Sequence, residues 1–208
     1  MKALVFCTSH IDNNPGRYQD WVDYYTDFFQ DVDATLLMIN DGPFKTEINL
    51  RGINVLTFPE HLGRKGVWIF PGWKRSFRQG LVESRKYHHL AHIESDCYIR
   101  KSAKEDFLQA LRSHGYHAGF AKAYNFPETA LQVINDPFVV NFLVDKYACE
   151  DNWYENVDFE KTVLQSLNPK YILNGDRFEG FKERFRPEYT YMSGITLEGF
   201  RKLYNESI

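Results

Sequence analysis

Cysteine is scarce in this chain of 208 residues: Cys7, Cys97 and Cys149 are the only three, and no two form a CxxC pair. That excludes a disulfide framework and a zinc site of that spacing, and leaves buried free thiols in a reducing compartment as the expectation. Long apolar runs are missing as well. The N-terminal run Ala3–Cys7 is shorter than the roughly 7–15 residues of a signal-peptide core. Ala34–Ile39 is interrupted by Thr35 and Phe138–Val144 by Asn141, and both fall far below the ~20 residues that span a bilayer. Neither sign of charge dominates, with 25 basic against 28 acidic residues and a net charge of −3, so nothing global favours duplex DNA or an anionic membrane as a partner. The expectation is a cytoplasmic protein, or a soluble piece of a longer one, without nucleic-acid binding. No GxxxxGK[ST], GxGxxG after the first strand, GxSxG or HExxH occurs, which removes the basis for phosphate-loop kinase, dinucleotide dehydrogenase, serine hydrolase and zincin readings.

Aromatic residues are plentiful: 17 Phe, 13 Tyr and 4 Trp, 16% of the chain. Together with the charge balance they exclude a disordered chain. Trp21, Tyr24, Tyr25, Phe28 and Phe29 fall at i, i+3, i+4, i+7 and i+8, the apolar stripe of an amphipathic helix. Ala3–Thr8, Ala34–Ile39, Ile53–Phe58 and His89–Ile93 are apolar, β-prone runs of the kind buried on both faces of a parallel sheet. Helical spacing around Phe77, Leu81 and Val82 separates the last two, after a loop expected to run to about Gly72. Ser102-Ala103-Lys104-Glu105 has the form of a capping box ahead of Phe107, Leu108 and Leu111. His117–Ala121 and Tyr171–Leu173 read as later strands, Phe138–Tyr147 as either buried strand or buried helix, and Phe200, Leu203 and Tyr204 as a closing helix. This alternation predicts a three-layer α/β/α sandwich with a mixed, mostly parallel central sheet.

In such sheets the ligand crevice lies beyond the carboxyl ends of the strands. The segments in those places are Thr8–Asp12, Asn40–Pro43 and Glu94–Cys97. In Glu94-Ser95-Asp96, residues i and i+2 project to one side, so the two carboxylates converge. Two readings fit: a solvated strand-end turn, or a pair of hard oxygen ligands for Mg²⁺ or Mn²⁺ with substrate phosphates completing the shell. His88 and His92 share a face but stand about 13 Å apart at ~3.3 Å per residue, too far for one ion, and read as core histidines or as residues supporting a site. Lys74, Arg75 and Arg78 fit either a diphosphate contact or a solvated helix face. Asn40-Asp41-Gly42-Pro43 also suits a plain turn.

Taken in order, a strand ending in Ile39-Asn40-Asp41-Gly42, then His61-Leu62-Gly63-Arg64, a helix, and Leu90-Ala91-His92-Ile93-Glu94-Ser95-Asp96 resemble the nucleotide-sugar glycosyltransferases of the GT-A fold. The pattern is closest to glycosyltransferase family 2, with its "DDGS", "NLG" and "DxD" segments, over about residues 3–100. A weaker similarity to that family's late "ED" motif lies around Tyr154–Phe159. The resemblance implies one domain over residues 1–208, with 1–100 the nucleotide-sugar half and 101–208 the acceptor and catalytic half. It implies that Asp41 meets the nucleobase or ribose with Thr8 beside it, and that Arg75 helps with the diphosphate. Glu94-Ser95-Asp96 would stand for DxD, with Asp96 the direct ligand of Mn²⁺ or Mg²⁺ and Glu94 near the ribose or the ion's water shell. Glu155 and Asp158 would supply the catalytic base, and Lys182–Arg186 would be either a lid over the diphosphate or a solvated segment. The implied activity is transfer of a sugar, as a hexosyltransferase, from a UDP-sugar donor to a glycan or other hydroxyl acceptor. Glu in place of the first Asp of DxD, Pro43 in place of Ser, and Asn156 where Asp is expected depart from the pattern. A sugar-nucleotide pyrophosphorylase and a nucleotide-sugar-binding module without turnover are the alternatives. Thr8-Ser9-His10-Ile11-Asp12 is not the Gly-rich loop of the former, and the altered ED segment keeps the latter open. Trp68, Trp73, Trp153 and Tyr154 lie in segments expected to be loops beside the site, where aromatic faces suit sugar rings or a base.

Overall fold

A computed structural model describes residues 2–66, 70–122, 125–148, 163–178 and 188–205. Among the described residues, nine strands join in one sheet: β1 (Ala3–Ser9), β2 (Ala34–Asn40), β3 (Asn54–Thr57), β4 (His89–Ile93), β5 (Tyr98–Ile99), β6 (Gly115–Ala121), β7 (Phe126–Asn135), β8 (Lys170–Arg177) and β9 (Tyr191–Ser193), in the order β3-β2-β1-β4-β7-β6-β8-β9-β5. The pairs β1–β2, β1–β4, β2–β3, β6–β8 and β8–β9 are parallel, while β4–β7, β6–β7 and β5–β9 are antiparallel. The mixed, mostly parallel sheet expected from the sequence is present.

Strand periodicity builds the layers. Ala3, Val5 and Cys7 point to one face and Leu4 and Phe6 to the other, and the two sets fall in separate cores. The first set packs with α1 (Pro15–Phe28), α3 (Lys104–Arg112) and α5 (Leu197–Tyr204), through Trp21, Tyr25, Phe28, Phe107 and Phe200. The second packs with α2 (Pro71–Glu83) and α4 (Pro137–Ala148), through Phe77, Leu81, Leu143 and Tyr147. The ambiguous Phe138–Tyr147 segment is therefore a helix. Pro15 and Pro71 open α1 and α2 at the position where a missing N–H costs nothing.

Three local expectations change. The Ser102 capping box does not form: residues Lys101–Ala103 make a 3₁₀ turn, and α3 starts at Lys104 with no side-chain cap. Trp73 lies in the first turn of α2 rather than in a loop. The strand β7, which the sequence pattern does not announce, sits in the middle of the sheet between β4 and β6. Its register with β6 shifts where Gln132 pairs Ala118 but Glu128 pairs Gly119. That irregularity frees the Thr129 carbonyl to accept from Gln132 Nε2 (2.9 Å) and to meet His92 Nδ1 (3.1 Å).

The sheet order also places the crevice. From β1 the chain winds outward through β2 and β3, then crosses back to lay β4 on the other side of β1. The gap beyond the ends of β1 and β4 is therefore the topological switch point. Only residues 94–97 separate β4 from β5, yet four strands lie between them in the sheet. The sheet must curl so that its far edge returns beside the end of β4.

Candidate functional site

Asn40 is fully buried, and its Oδ1 accepts from Ser9 Oγ (3.1 Å) and from the Ile11 amide (2.9 Å). The Asp41 amide donates to Ser9 O (2.9 Å). These bonds lock the ends of β1 and β2 together and leave Thr8, Ser9 and Asp41 buried at the crevice edge.

Asp41 is the hub of the β2 side. One carboxylate oxygen takes Arg75 Nη2 and, more distantly, the Leu62 amide (3.4 Å); the other takes the Gly63 amide (2.8 Å). His61 Nδ1 lies 3.0 Å from that second oxygen and 2.8 Å from the Asp41 carbonyl. Both neighbours are acceptors, so Nδ1 carries the ring proton. The fit requires two glycines. A Cβ on Gly72 would stand 1.9 Å from Asp41 Oδ2, and Gly42, at φ +102°, would put one 2.8 Å from His61 Cα. The His61 ring stacks on His10 with centroids 3.9 Å apart. Burial and the facing His61 lower the His10 pKa, against the pull of Asp41 and Asp12.

On the β4 side, Trp73 Nε1 donates to Glu94 Oε1 at 3.1 Å, and Asp96 Oδ2 is ion-paired with Arg17 Nη2 from the first turn of α1. Ser95 is buried between the two acids. The loop is anchored from beneath by α1: the Tyr25 hydroxyl donates to Cys97 O (2.8 Å) and the Tyr24 hydroxyl to Ile99 O. Two members of the aromatic stripe thus do more than fill the core. Further anchors come from chain-distant backbone, with Glu94 N to Ala130 O (2.9 Å) and Ile195 N to Asp96 O (3.3 Å). Burial pushes the Cys7 thiol well above its usual range, and Glu94 and Asp96 push it the same way. Cys7 and Cys97 are buried free thiols, as expected, while Cys149 lies outside the described residues.

Thr8, Asp41, Glu94, Ser95 and Asp96 therefore meet around the ends of β1, β2 and β4. Arg75 meets them differently from the expectation. Its guanidinium is held by Asp41 and Glu60 O and lies over the Phe58 ring, 4.0 Å from the centroid. Arg78 is likewise engaged, donating to Val144 O (3.2 Å). The arginine that reaches the acidic loop is Arg17, which no sequence pattern marks, because its pairing with Asp96 exists only once β1 and β4 are neighbours. His92 is a core histidine, with its ring 4.8 Å from Phe6 and 4.9 Å from Phe77, and burial lowers its pKa to about 3. A pair of buried Glu128 and part-exposed Arg177 (2.6 Å) lies near the start of β7. Glu155 and Asp158, the Lys182–Arg186 segment, Trp68, Trp153 and Tyr154 lie outside the described residues.

The overall fold is similar to that of solved enzymes. One is a glycosyltransferase involved in the glycosylation of the major capsid of PBCV-1, at TM-score 0.56 and 10% identity, covering 97% of each chain. The chain has a GT-A-type fold. The galactosyltransferase LgtC shares it, both in complex with donor and acceptor sugar analogs (TM-score 0.51, 10% identity, 92% of this chain and 86% of that one) and as an active-site mutant (TM-score 0.55, 12% identity, 99% and 84%). No protein-family model and no curated protein sequence matches the chain. Among the described residues of this GT-A-type chain, no helix is long and apolar enough to cross a membrane.

Proposed function

We propose that the protein is a glycosyltransferase that moves a sugar from a nucleoside-diphosphate donor to a hydroxyl acceptor. The observation that carries the reading is the meeting of Asp41 and Glu94-Ser95-Asp96 on either side of the β1 end, at the switch point of a GT-A-type sheet. A uridine base and a glycan acceptor are part of the proposal and rest on the family resemblance.

The donor set fits a divalent ion of the Mg²⁺ or Mn²⁺ kind. Glu94 and Asp96 offer hard oxygen ligands, and Asp96 already holds a cation, the Arg17 guanidinium. Among the described residues no group of three or more His, Cys, Asp or Glu side chains gathers to hold a metal, so diphosphate oxygens and water would complete the shell, as suits these ions. Such an ion supplies charge neutralisation on the departing diphosphate. The chain's own residues do the rest. Thr8 and Asp41 line the nucleoside end, and Trp73 fixes the Glu94 carboxylate by its indole N–H. A carboxylate from the Glu155/Asp158 segment would take the acceptor hydroxyl proton.

The deciding experiment is a thermal-shift and calorimetric panel of nucleoside diphosphates and their sugars, with and without Mn²⁺. Binding of UDP that needs the ion and disappears in Asp96→Asn supports the reading. Equal binding without metal refutes the ion's role. Transfer or hydrolysis of the bound UDP-sugar separates an enzyme from a binding module.

A further inference from the structure

Asp96 faces two claims on one carboxylate. Its Oδ2 is taken by Arg17 Nη2, and a divalent ion bound there would compete with the guanidinium for the same negative charge. We propose that Arg17 is a displaceable internal counter-ion. In the free protein it neutralises Asp96; when a divalent cation and a nucleoside diphosphate arrive together, the cation takes the carboxylate and the guanidinium passes to the diphosphate oxygens. The inference rests on the glycosyltransferase reading and adds to it a residue, an exchange and a binding order.

Several features of the site support the exchange. Among the described residues, Arg75 and Arg78 are engaged with Asp41, Glu60 and Val144 and Arg177 with Glu128, while Arg17 sits on the acidic loop. Its side chain is 36% exposed and that of Asp96 19%. A part-buried ion pair on the surface side of the loop is held less firmly than one sealed in the core, so it can be exchanged for other charges without unfolding anything around it. The backbone need not move, because the Arg17 amide is already fixed by the Asn14 cap (3.3 Å). Only the side chain has to swing. A planar guanidinium suits two phosphate oxygens better than a single carboxylate oxygen.

The exchange has a thermodynamic consequence. Cation alone must compete with Arg17 for the Asp96 charge. Diphosphate alone must draw Arg17 away and leave Asp96 uncompensated beside Glu94. Each ligand removes the obstacle facing the other, so cation and nucleotide bind cooperatively, and the coupling runs through Arg17.

The test uses the intact protein, Mn²⁺ binding followed by electron paramagnetic resonance, and UDP binding followed by calorimetry. In the unmodified protein Mn²⁺ alone should bind weakly, and Mn²⁺ should strengthen UDP binding about tenfold or more, a usual size for such coupling. Arg17→Gln should bind Mn²⁺ alone about 3- to 10-fold more tightly while the Mn²⁺–UDP coupling falls to about threefold or less. Arg17→Lys keeps a charge without the fork, and should still hinder Mn²⁺ while recovering little UDP affinity. A melting curve for each variant establishes that it is folded. Unchanged or weaker Mn²⁺ binding in Arg17→Gln, with coupling intact, overturns the proposal and leaves the glycosyltransferase reading standing. Failure of the unmodified protein to bind UDP with or without Mn²⁺ overturns both.

Discussion

The indole nitrogen of Trp73 donates to Oε1 of Glu94 across 3.1 Å, tying the first turn of α2 to the acidic loop after β4. The same ring stacks on Phe77 at 5.0 Å and meets Tyr147 edge-on. Trp73→Phe keeps a ring on Phe77 and removes the hydrogen bond together with part of the indole's packing. It should cost about 1 kcal/mol of stability and loosen Glu94, weakening Mn²⁺-dependent UDP binding several-fold. Trp73→Ala removes the ring as well and should cost about 3 kcal/mol. Urea unfolding and calorimetry on the two variants separate the contributions.

Asp41→Ala should destabilise the free protein, by about 2–3 kcal/mol, because the half-buried Arg75 and two loop amides lose their acceptor. The family resemblance implies a ligand contact for Asp41, and its local sequence also suits a plain turn; the bonding around the carboxylate gives it a structural load. A fall in the urea midpoint without nucleotide present is the expected result, and an unchanged midpoint would contradict this account of Asp41.

Gly72→Ala probes the same pocket from outside. Its Cβ would have to occupy space 1.9 Å from Asp41 Oδ2. Either α2 or the carboxylate must shift, at about 1–3 kcal/mol, and crosslinking or proteolysis of the 61–66 loop should report its release.

His92 makes the fold acid-sensitive. Its folded pKa, about 3, lies below the ordinary 6.5, because burial disfavours the charged ring. A group depressed in this way stabilises fully above pH 6.5 and loses that contribution as pH falls toward 3, at about 1.4 kcal/mol per pH unit. His92→Phe should show a shallower decline in unfolding free energy between pH 6.5 and 4 than the unmodified protein. Parallel curves would remove His92 as the cause.

The parts of the fold legible in the sequence are those whose side chains follow one rule. The runs in β1, β2 and β4 are continuous because both faces are covered, and α1 shows its stripe because one side meets the sheet. The acids at the strand ends were visible for the same reason: polarity begins where the layers stop. β7 was hidden because Pro127, Glu128 and Gln132 interrupt it. All three are inside, and the two polar side chains meet partners that no sequence pattern reveals, Arg177 for Glu128 and, for Gln132, Tyr116 together with the Thr129 carbonyl of its own strand. β5 and β9 are too short to carry any period. Arg17 was hidden for a different reason. It looks like any polar residue on a helix until the sheet order brings Asp96 to it.

The pairing of β5 with β9, and the bond from Ile195 to the Asp96 carbonyl, mean that residues near the end of the chain hold the acidic loop in place. During synthesis β1, α1, β2 and β4 can all collapse while the ribosome is still adding the second half. The loop carrying Glu94 and Asp96 has its α1 and β7 anchors by then, but its last ones, from β9 and Ile195, form only after residues 191–195 emerge. Binding competence should therefore arise late, after the bulk of the core has formed, and a chain halted before residue 191 would be largely structured yet unable to hold its ligand.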